Sequence, residues 1–279
     1  MKRQEIIRQF TEKLEIENYA PQTVSSYTSA LKLFLDYLQQ HSDKIGDKEI
    51  HDYFHYCAKE KNHSFSAMRQ AVASIRYLYV KVLNKPAPQA LNIEIRKPSK
   101  LPVVLTKEEV RKLIKVTKNL KHKIMLLLIY SAGLRLGELL NLKLGDIDSD
   151  KMRIHIIAGK GKKERYVMLS PKTLNLLREY YKEYKPKEYI FEGQNGGKYS
   201  PKSVQTLFKA SLKKAGIKKK ATVYTLRHSF ATHLLDDGTD IRYIQELLGH
   251  KRLETTQIYK QVSSYSINKI KSPADDLDI

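Results

Sequence analysis

Residues 131–142 read Ser-Ala-Gly-Leu-Arg-Leu-Gly-Glu-Leu-Leu-Asn-Leu, and this segment is the most informative one for the structure of the second half of the chain. The apolar run Ile124–Ala132 that leads into it predicts a buried helix, and Gly133 is a residue that commonly ends helices. Arg135 therefore follows directly after a helix break, and the next helix carries Glu138 on its polar face. The pattern predicts two consecutive helices with an arginine at the break between them.

A β-hairpin is predicted next along the chain. Two β-prone runs, Met152–Ile157 and Arg165–Leu169, flank a connection that contains two glycines, which is typical of a hairpin. Lys160 lies in the tip, Gly159–Arg165. Because Tyr189–Phe191 is a candidate third strand, we expect one small three-stranded antiparallel sheet.

Helices are expected to form the rest of this half. Thr106 and Glu109 have the spacing of a capping box, in which the hydroxyl and the carboxylate bind free amides at a helix start. Glycine and proline positions mark the other helix ends. Helices are predicted to begin at Ser200-Pro201 and at Thr225, and to end at Gly216, Gly238 and Gly249.

The first 85 residues predict a small helical domain, because apolar residues recur there at helical spacing. The two stripes are Tyr27, Leu31, Phe34, Leu35 and Leu38, and then Ala71, Ile75, Leu78, Tyr79 and Val82. Residues 86–103 contain four prolines among basic residues and predict an extended linker. Residues 104–279 form the second domain. The expected fold class is mostly α (α+β).

Positive charge is concentrated in the second domain. The chain of 279 residues has a net charge of +21, yet residues 1–95 carry 13 basic and 11 acidic side chains. Residues 96–279 carry 38 basic and 19 acidic side chains. A surface this basic attracts polyphosphate backbones, although a lysine-rich surface also serves solubility alone. The charge therefore indicates nucleic acid as a binding partner but does not establish it.

Several classes of protein are excluded by composition and motifs. With 41% hydrophobic and 29% charged residues, the chain has the composition of a globular protein. The longest apolar run is too short to cross a bilayer, and the first residues have no export signal, so we expect a cytoplasmic protein without membrane contact. Cys57 is the only cysteine, and neither a phosphate-binding loop nor a metal motif is present. We therefore expect no cofactor and no metal.

Four segments carry the chemically useful side chains in a fixed order. They are residues 131–146, the hairpin tip, residues 224–233 (Tyr-Thr-Leu-Arg-His-Ser-Phe-Ala-Thr-His) and residues 247–259, which contain Leu-Leu-Gly-His and end at Tyr259. Each segment alone says little, since Tyr259 is one of 18 tyrosines. In this order and spacing, from about Tyr19 onward, the chain resembles the tyrosine recombinase (phage integrase, Xer-type) family.

The resemblance implies a role for individual residues. Arg135 and Arg227 match the two arginines that hold the phosphate, Lys160 matches the hairpin lysine, and Tyr259 matches the nucleophile. His250 matches the histidine that follows Leu-Gly, while Glu138 and Asp146 match positions that brace the site. We interpret His228 and His233 as packing or hydrogen-bonding residues of their helix, and Tyr265 as the alternative tyrosine nearest the nucleophile.

One position departs from the family pattern. The second arginine motif usually begins with histidine, and Tyr224 stands there instead. A tyrosine can donate a hydrogen bond to a phosphate, but with a pKa near 10 it is a poor base at neutral pH. The substitution puts the acid–base role of this position in doubt.

The resemblance also implies the reaction and the partners. The expected protein is a site-specific DNA recombinase that joins a tyrosine to a DNA 3′-phosphate without a metal. Residues 1–85 correspond to the core-binding (SAM-like) domain, and residues 104–279 correspond to the catalytic domain. The expected partners are double-stranded DNA and further copies of the chain, in a tetrameric synapse with the C-terminal segment docked on a neighbour. The resemblance leaves open an accessory protein as a further partner.

Three alternatives share parts of this pattern. The fold can be retained in a DNA-binding or accessory protein whose catalysis has decayed, for which Tyr224 is a sign. A basic RNA- or ribosome-associated protein shares the charge, and a relaxing topoisomerase shares the chemistry.

The C-terminal segment 260–279 also has an alternative interpretation, as a helix that packs on its own domain.

Overall fold

The structure is a computed structural model that describes residues 3–41, 46–96, 98, 101–157, 164–194 and 196–263. The chain divides into two compact units, Met1–Ser99 and Lys100–Ile279. The division lies inside the stretch 86–103 that the prolines mark as a linker. None of the helices in the described ranges combines the length and the apolar character that a membrane crossing requires.

The described part of the first unit contains four helices. They are α1 (Arg3–Ile16), α2 (Pro21–His41), α3 (Asp47–Lys59) and α4 (Phe65–Tyr77), which continues as a π-helical turn, Leu78–Val82. The predicted stripe on α2 is confirmed, since Leu31, Phe34, Leu35 and Leu38 are all buried. These side chains and those of α1, α3 and α4 form one hydrophobic core.

The predicted linker is extended in only part of its length. Residues Gln89–Leu91 form a 3₁₀ turn, and Leu91 is buried in the core of the first unit. The backbone N–H of Ala90 donates to the Asp47 carboxylate at 2.7 Å. The first unit therefore continues past residue 85, because an apolar side chain between the prolines packs back on the helices.

The second unit is a larger helical structure with one small sheet. The predicted capping box is confirmed at α5, where the Thr106 N–H donates to Glu109 and the Glu109 N–H donates to the Thr106 hydroxyl. The helix α6 is buried on most of its surface and packs against α8 and α10. The helices are α5 (Lys107–Val116), α6 (Leu120–Ala132), α7 (Leu136–Asn141), α8 (Pro171–Tyr184), α9 (Pro201–Lys214), α10 (Val223–Asp236), α11 (Ile241–Leu248) and α12 (Glu254–Gln257).

The sheet has three antiparallel strands, as predicted, but one of them is a different segment. Its order is β1 (Ile147–Asp148), β2 (Arg153–Ile156) and β3 (Arg165–Met168). The prediction of a third strand at Tyr189–Phe191 is wrong. Among the described residues, Tyr189 forms an isolated bridge to Lys143 and belongs to no strand, and the next two side chains are buried in the core. The two-residue strand β1 reaches the sheet edge through the short turn before β2.

One helix start also differs from the sequence prediction. Helix α10 begins at Val223 and not at Thr225. Thr222 is the N-cap, and its N–H donates to the Thr225 hydroxyl at 3.0 Å, so Thr225 lies one turn inside the helix. The predicted ends at Gly216, Gly238 and Gly249 hold, and all three glycines have positive φ.

Candidate active site

Arg135 lies at the junction of α6 and α7, where Gly133 turns the chain. Gly133 has a φ of +63°, and a Cβ there would lie 2.6 Å from the Phe230 ring, so the close turn requires glycine. Arg135 is the N-cap of α7, and both its N–H and its guanidinium donate to Glu138, at 2.8 and 2.7 Å. The guanidinium also donates to the Gly249 carbonyl at 3.2 Å. The helix break therefore fixes an arginine whose side chain is still 30% exposed.

Arg227 is the most deeply buried cation of the site. It lies on α10 with 0% exposure, and its guanidinium donates to the carbonyls of Gly133 and Leu248. Its Nε is buried and has no hydrogen-bond partner among the described residues. Burial and the charge of Arg135 lower the pKa of Arg227 to about 10, so the side chain remains protonated at neutral pH.

Glu138 is the carboxylate that these cations share. Besides Arg135, the guanidinium of Arg165 donates to both of its oxygens, at 2.9 and 2.8 Å, and Arg227 lies 3.7 Å away. Burial alone would raise the pKa of Glu138, but the hydrogen bonds from Arg165 and Arg135 lower it to about 2. The predicted bracing position is thus a buried anion at the centre of three arginines.

Arg165 is a residue that the sequence interpretation missed. It begins β3, where Arg165 and Val167 face the core, and its Nε also donates to the Leu247 carbonyl at 2.7 Å. The signal was an arginine on the inward-facing side of an alternating strand. Asp146, the other predicted bracing residue, instead accepts the Lys143 N–H at 2.8 Å within a 3₁₀ turn.

His250 follows the glycine that ends α11 and contacts the buried arginine. Its Nε2 lies 3.3 Å from Nη2 of Arg227, and its Nδ1 lies 2.9 Å from the Thr256 hydroxyl. Because arginine only donates, Nε2 is the acceptor and the ring proton is on Nδ1. Burial and the charges of Arg227 and Arg135 lower the pKa of His250 to about 4.

Tyr259 is buried beside the cluster, with 1% exposure, in a 3₁₀ turn, Ile258–Gln261. Its hydroxyl lies 3.1 Å from Nδ1 of His228. Burial raises its pKa to about 12, while the positive charges of Arg227 and Arg135 act in the opposite direction. The phenol therefore lies within the electrostatic field of Arg227 and Arg135, the two arginines predicted to hold the phosphate.

Tyr224 is the exposed member of the site. Its ring, in the first turn of α10, is 44% exposed and stands perpendicular to the His228 ring with centroids 4.5 Å apart. His233, the other histidine of this helix, hydrogen-bonds Tyr130 through Nδ1 at 2.9 Å.

The structure gathers four predicted site residues around His228 and Glu138, with Tyr224 at their edge. These four are Arg135, Arg227, His250 and Tyr259. Lys160 lies outside the described residues, as do Tyr265 and the rest of residues 264–279.

Comparison with known proteins identifies the family. Residues 103–265 match the Phage integrase family, and residues 6–89 match the description "Phage integrase, N-terminal SAM-like domain". The chain belongs to the phage integrase family.

The sequence similarity to relatives covers almost the whole chain. The sequence is 36% identical to tyrosine recombinase XerA of Pyrococcus horikoshii, over 93% of this chain and 90% of the relative. It is 33% identical to tyrosine recombinase XerD of Oceanobacillus iheyensis, over 92% and 93%. This member of the phage integrase family is thus a tyrosine-type site-specific DNA recombinase.

Solved structures show the same fold. A crystal structure of XerA recombinase matches with a TM-score of 0.57 and 28% identity, covering 96% of this chain and all of the other. A lambda integrase(75-356) dimer bound to a COC′ core site matches with a TM-score of 0.75 and 18% identity, covering 91% and 97%. The predicted fold class, mostly helical with a small antiparallel sheet, is confirmed.

Proposed function

We propose that the protein cuts and rejoins DNA strands through a covalent bond between Tyr259 and a DNA 3′-phosphate. The main support for this proposal is the positive charge of three neighbouring arginines. Arg135, Arg165 and Arg227 surround the single carboxylate of Glu138, which leaves an excess of two positive charges. Cations that are withdrawn from water attract an anion strongly, so the cluster is suited to a phosphodiester.

The reaction is an exchange of phosphate esters. The Tyr259 Oη attacks phosphorus, the Oη–P bond forms, and the bond between phosphorus and the 5′-oxygen breaks. The 5′-oxygen leaves as a hydroxyl after it takes up a proton. A 5′-hydroxyl of another strand then attacks the same phosphorus and releases Tyr259, so no nucleotide hydrolysis is needed.

Each site residue has a distinct proposed role. Arg135 and Arg227 stabilise the negative charge that develops on the two non-bridging oxygens, for which planar guanidinium groups are well suited. Tyr224 donates a hydrogen bond to the same phosphate from its exposed position. Lys160 gives the leaving 5′-oxygen its proton, and His250 orients Arg227 and the phosphate.

The proposed partner is double-stranded DNA, bound by several copies of the chain. The concentration of basic residues after residue 95 supports binding to a phosphate backbone. Related folds are described on DNA, among them the lambda integrase dimer and the XerH recombinase in a post-cleavage complex with a difH substrate. We propose a tetrameric synapse in the cytoplasm, with residues 260–279 docked on the neighbouring copy.

A nicked suicide duplex tests the reaction. Cleavage close to the nick releases a short fragment that diffuses away, so the covalent adduct accumulates and is counted on a denaturing gel. We expect an adduct with the wild type and with Tyr181→Phe, an exposed tyrosine of α8, and none with Tyr259→Phe. An adduct that persists in Tyr259→Phe and disappears in Tyr265→Phe contradicts the assignment of the nucleophile. Tight binding without an adduct in the wild type supports the accessory-protein alternative.

A further inference from the structure

The attack by Tyr259 needs an acceptor for the phenolic proton, and Tyr224 cannot supply one. A phenol hydroxyl donates hydrogen bonds readily and is a very weak proton acceptor. The guanidinium groups of Arg135, Arg165 and Arg227 have only hydrogen-bond donors and cannot accept the proton either. The proposed function therefore leaves one position of the site to be filled by a neutral base.

His228 occupies that position geometrically. It follows Tyr224 by four residues on α10, so the two side chains lie on the same face of the helix. Its Nδ1 is 3.1 Å from the Tyr259 hydroxyl, and the two ring centroids are 5.5 Å apart. This distance is within the reach of direct proton transfer, and no water has to intervene.

The surroundings of His228 keep it neutral. Burial and then the charge of Arg227 lower the pKa of His228 to about 4, so the ring has a free lone pair at neutral pH. The other titratable groups that face it are Tyr224, Tyr259 and His250. An anionic phosphate beside Arg227 opposes the effect of that cation and makes the imidazole a stronger base when DNA is bound.

We propose that His228 is the general base of the cleavage step, in place of the residue at position 224. Nδ1 takes the proton from Oη of Tyr259 while the Oη–P bond forms and the bond to the 5′-oxygen breaks. Nε2 carries the other ring proton, so the imidazole becomes a cation. In the rejoining step Nδ1–H returns the proton to Oη as Tyr259 leaves phosphorus. This inference rests on the proposed function.

The test is the rate of adduct formation in a single turnover on saturating suicide duplex. His228→Gln and His228→Ala remove the base, and His233→Gln is the matched control on the same helix, where the histidine contacts Tyr130. We expect both His228 variants to lose roughly 10²–10⁴-fold in rate and the control to stay within about threefold of the wild type. Duplex binding of the same samples shows whether each variant is folded. Added imidazole is expected to restore part of the rate of His228→Ala.

The pH dependence provides a readout that a structural role does not change. Between pH 7 and 8.5 the wild-type rate is expected to be flat, because the base is already neutral. The rate of His228→Gln is expected to rise about tenfold per pH unit, since hydroxide must then ionise the phenol.

Three outcomes are decisive. A wild-type rate that itself rises tenfold per pH unit overturns the inference, whether or not the variants fold. A His228→Gln rate within threefold of the wild type overturns it while the proposed function stands. If the wild type forms no adduct at all, the proposed function has failed.

Discussion

At the scale of single residues, Glu138 holds the site together. Its two oxygens accept hydrogen bonds from Arg135 and Arg165, and Arg227 lies 3.7 Å from it. Removing one partner of a buried ionic group leaves the others uncompensated, which is costly. The arrangement also makes the stability of the second unit depend on pH.

We therefore predict that Glu138→Gln lowers stability most at neutral pH. Because the pKa of Glu138 is lowered from 4.5 to about 2 in the folded state, the ionised group stabilises the fold above pH 4.5, and this contribution is lost as the pH falls through 2. The contribution is on the order of 3 kcal/mol at pH 7, since one pKa unit corresponds to about 1.4 kcal/mol. Urea titrations of both proteins at pH 7, 4 and 3 measure the difference. A difference that stays constant from pH 7 to pH 3 contradicts the electrostatic explanation.

Several site residues are predictable from the sequence, while others are not. Motifs, and the order of those motifs along the chain, point to Arg135, Arg227, His250 and Tyr259. Nothing local marks His228 as the neighbour of Tyr259, because that contact joins residues 31 apart and depends on how the 3₁₀ turn packs on α10. Long-range contacts of this kind are set by tertiary packing, which spacing along a chain does not encode.

At the scale of secondary-structure elements, the turn between α6 and α7 determines where Arg135 lies. Gly133 ends α6 in a left-handed conformation, and its carbonyl accepts a hydrogen bond from the Arg227 guanidinium. The turn therefore positions both arginines at once.

We predict that Gly133→Ala is more damaging than Gly216→Ala. Both glycines have φ near +65°, but a Cβ at 216 meets no described atom within 4 Å, whereas a Cβ at 133 would lie 2.6 Å from the Phe230 ring. Gly216→Ala is expected to cost about 1 kcal/mol, the usual penalty of the left-handed conformation, and Gly133→Ala to cost at least twice that. Urea denaturation and suicide-substrate cleavage measure the two effects. Equal losses in the two variants contradict the role of the Phe230 contact.

The elements that local sequence predicts are those with local causes. The stripe on α2, the capping box of α5 and the hairpin β2–β3 all follow from spacing and turn residues, and the structure confirms them. The third strand is misassigned from the sequence because β1 has only two residues, Ile147–Asp148, which is too short for an alternating pattern. Its pairing with β2 is a consequence of the turn that joins them.

A phosphate reaches the buried residues only if the backbone around them moves, and the short elements at the end of the described residues are the candidates for this movement. Tyr259 and Arg227 are almost completely covered, while α12 and the following 3₁₀ turn contain four residues each. We predict that binding of an uncleavable duplex increases hydrogen exchange in residues 254–263 and not in α10. Hydrogen-exchange mass spectrometry with and without the duplex measures this. Unchanged or greater protection of residues 254–263 contradicts an opening step.

At the scale of the whole molecule, the asymmetry of charge determines how DNA binding responds to salt. Residues 96–279 carry 38 basic and 19 acidic side chains, whereas the first 95 residues are close to neutral. We predict that duplex affinity falls linearly with salt on logarithmic axes, by about 10³–10⁵-fold between 50 and 200 mM if 6–10 phosphates are contacted. Fluorescence anisotropy of a labelled duplex measures the slope. An affinity that is independent of salt contradicts phosphate-dominated binding.

The most direct measurement is mass spectrometry of the trapped protein–DNA adduct after digestion with nuclease and trypsin. Cleavage after Arg252 and Lys260 yields a peptide, residues 253–260, whose only tyrosine is Tyr259, and Tyr265 falls in the next peptide. We predict a nucleotide joined through its 3′-phosphate to the peptide 253–260. A nucleotide on the peptide 261–269 contradicts Tyr259 as the nucleophile, and one joined through its 5′-phosphate contradicts a 3′-phosphotyrosyl bond.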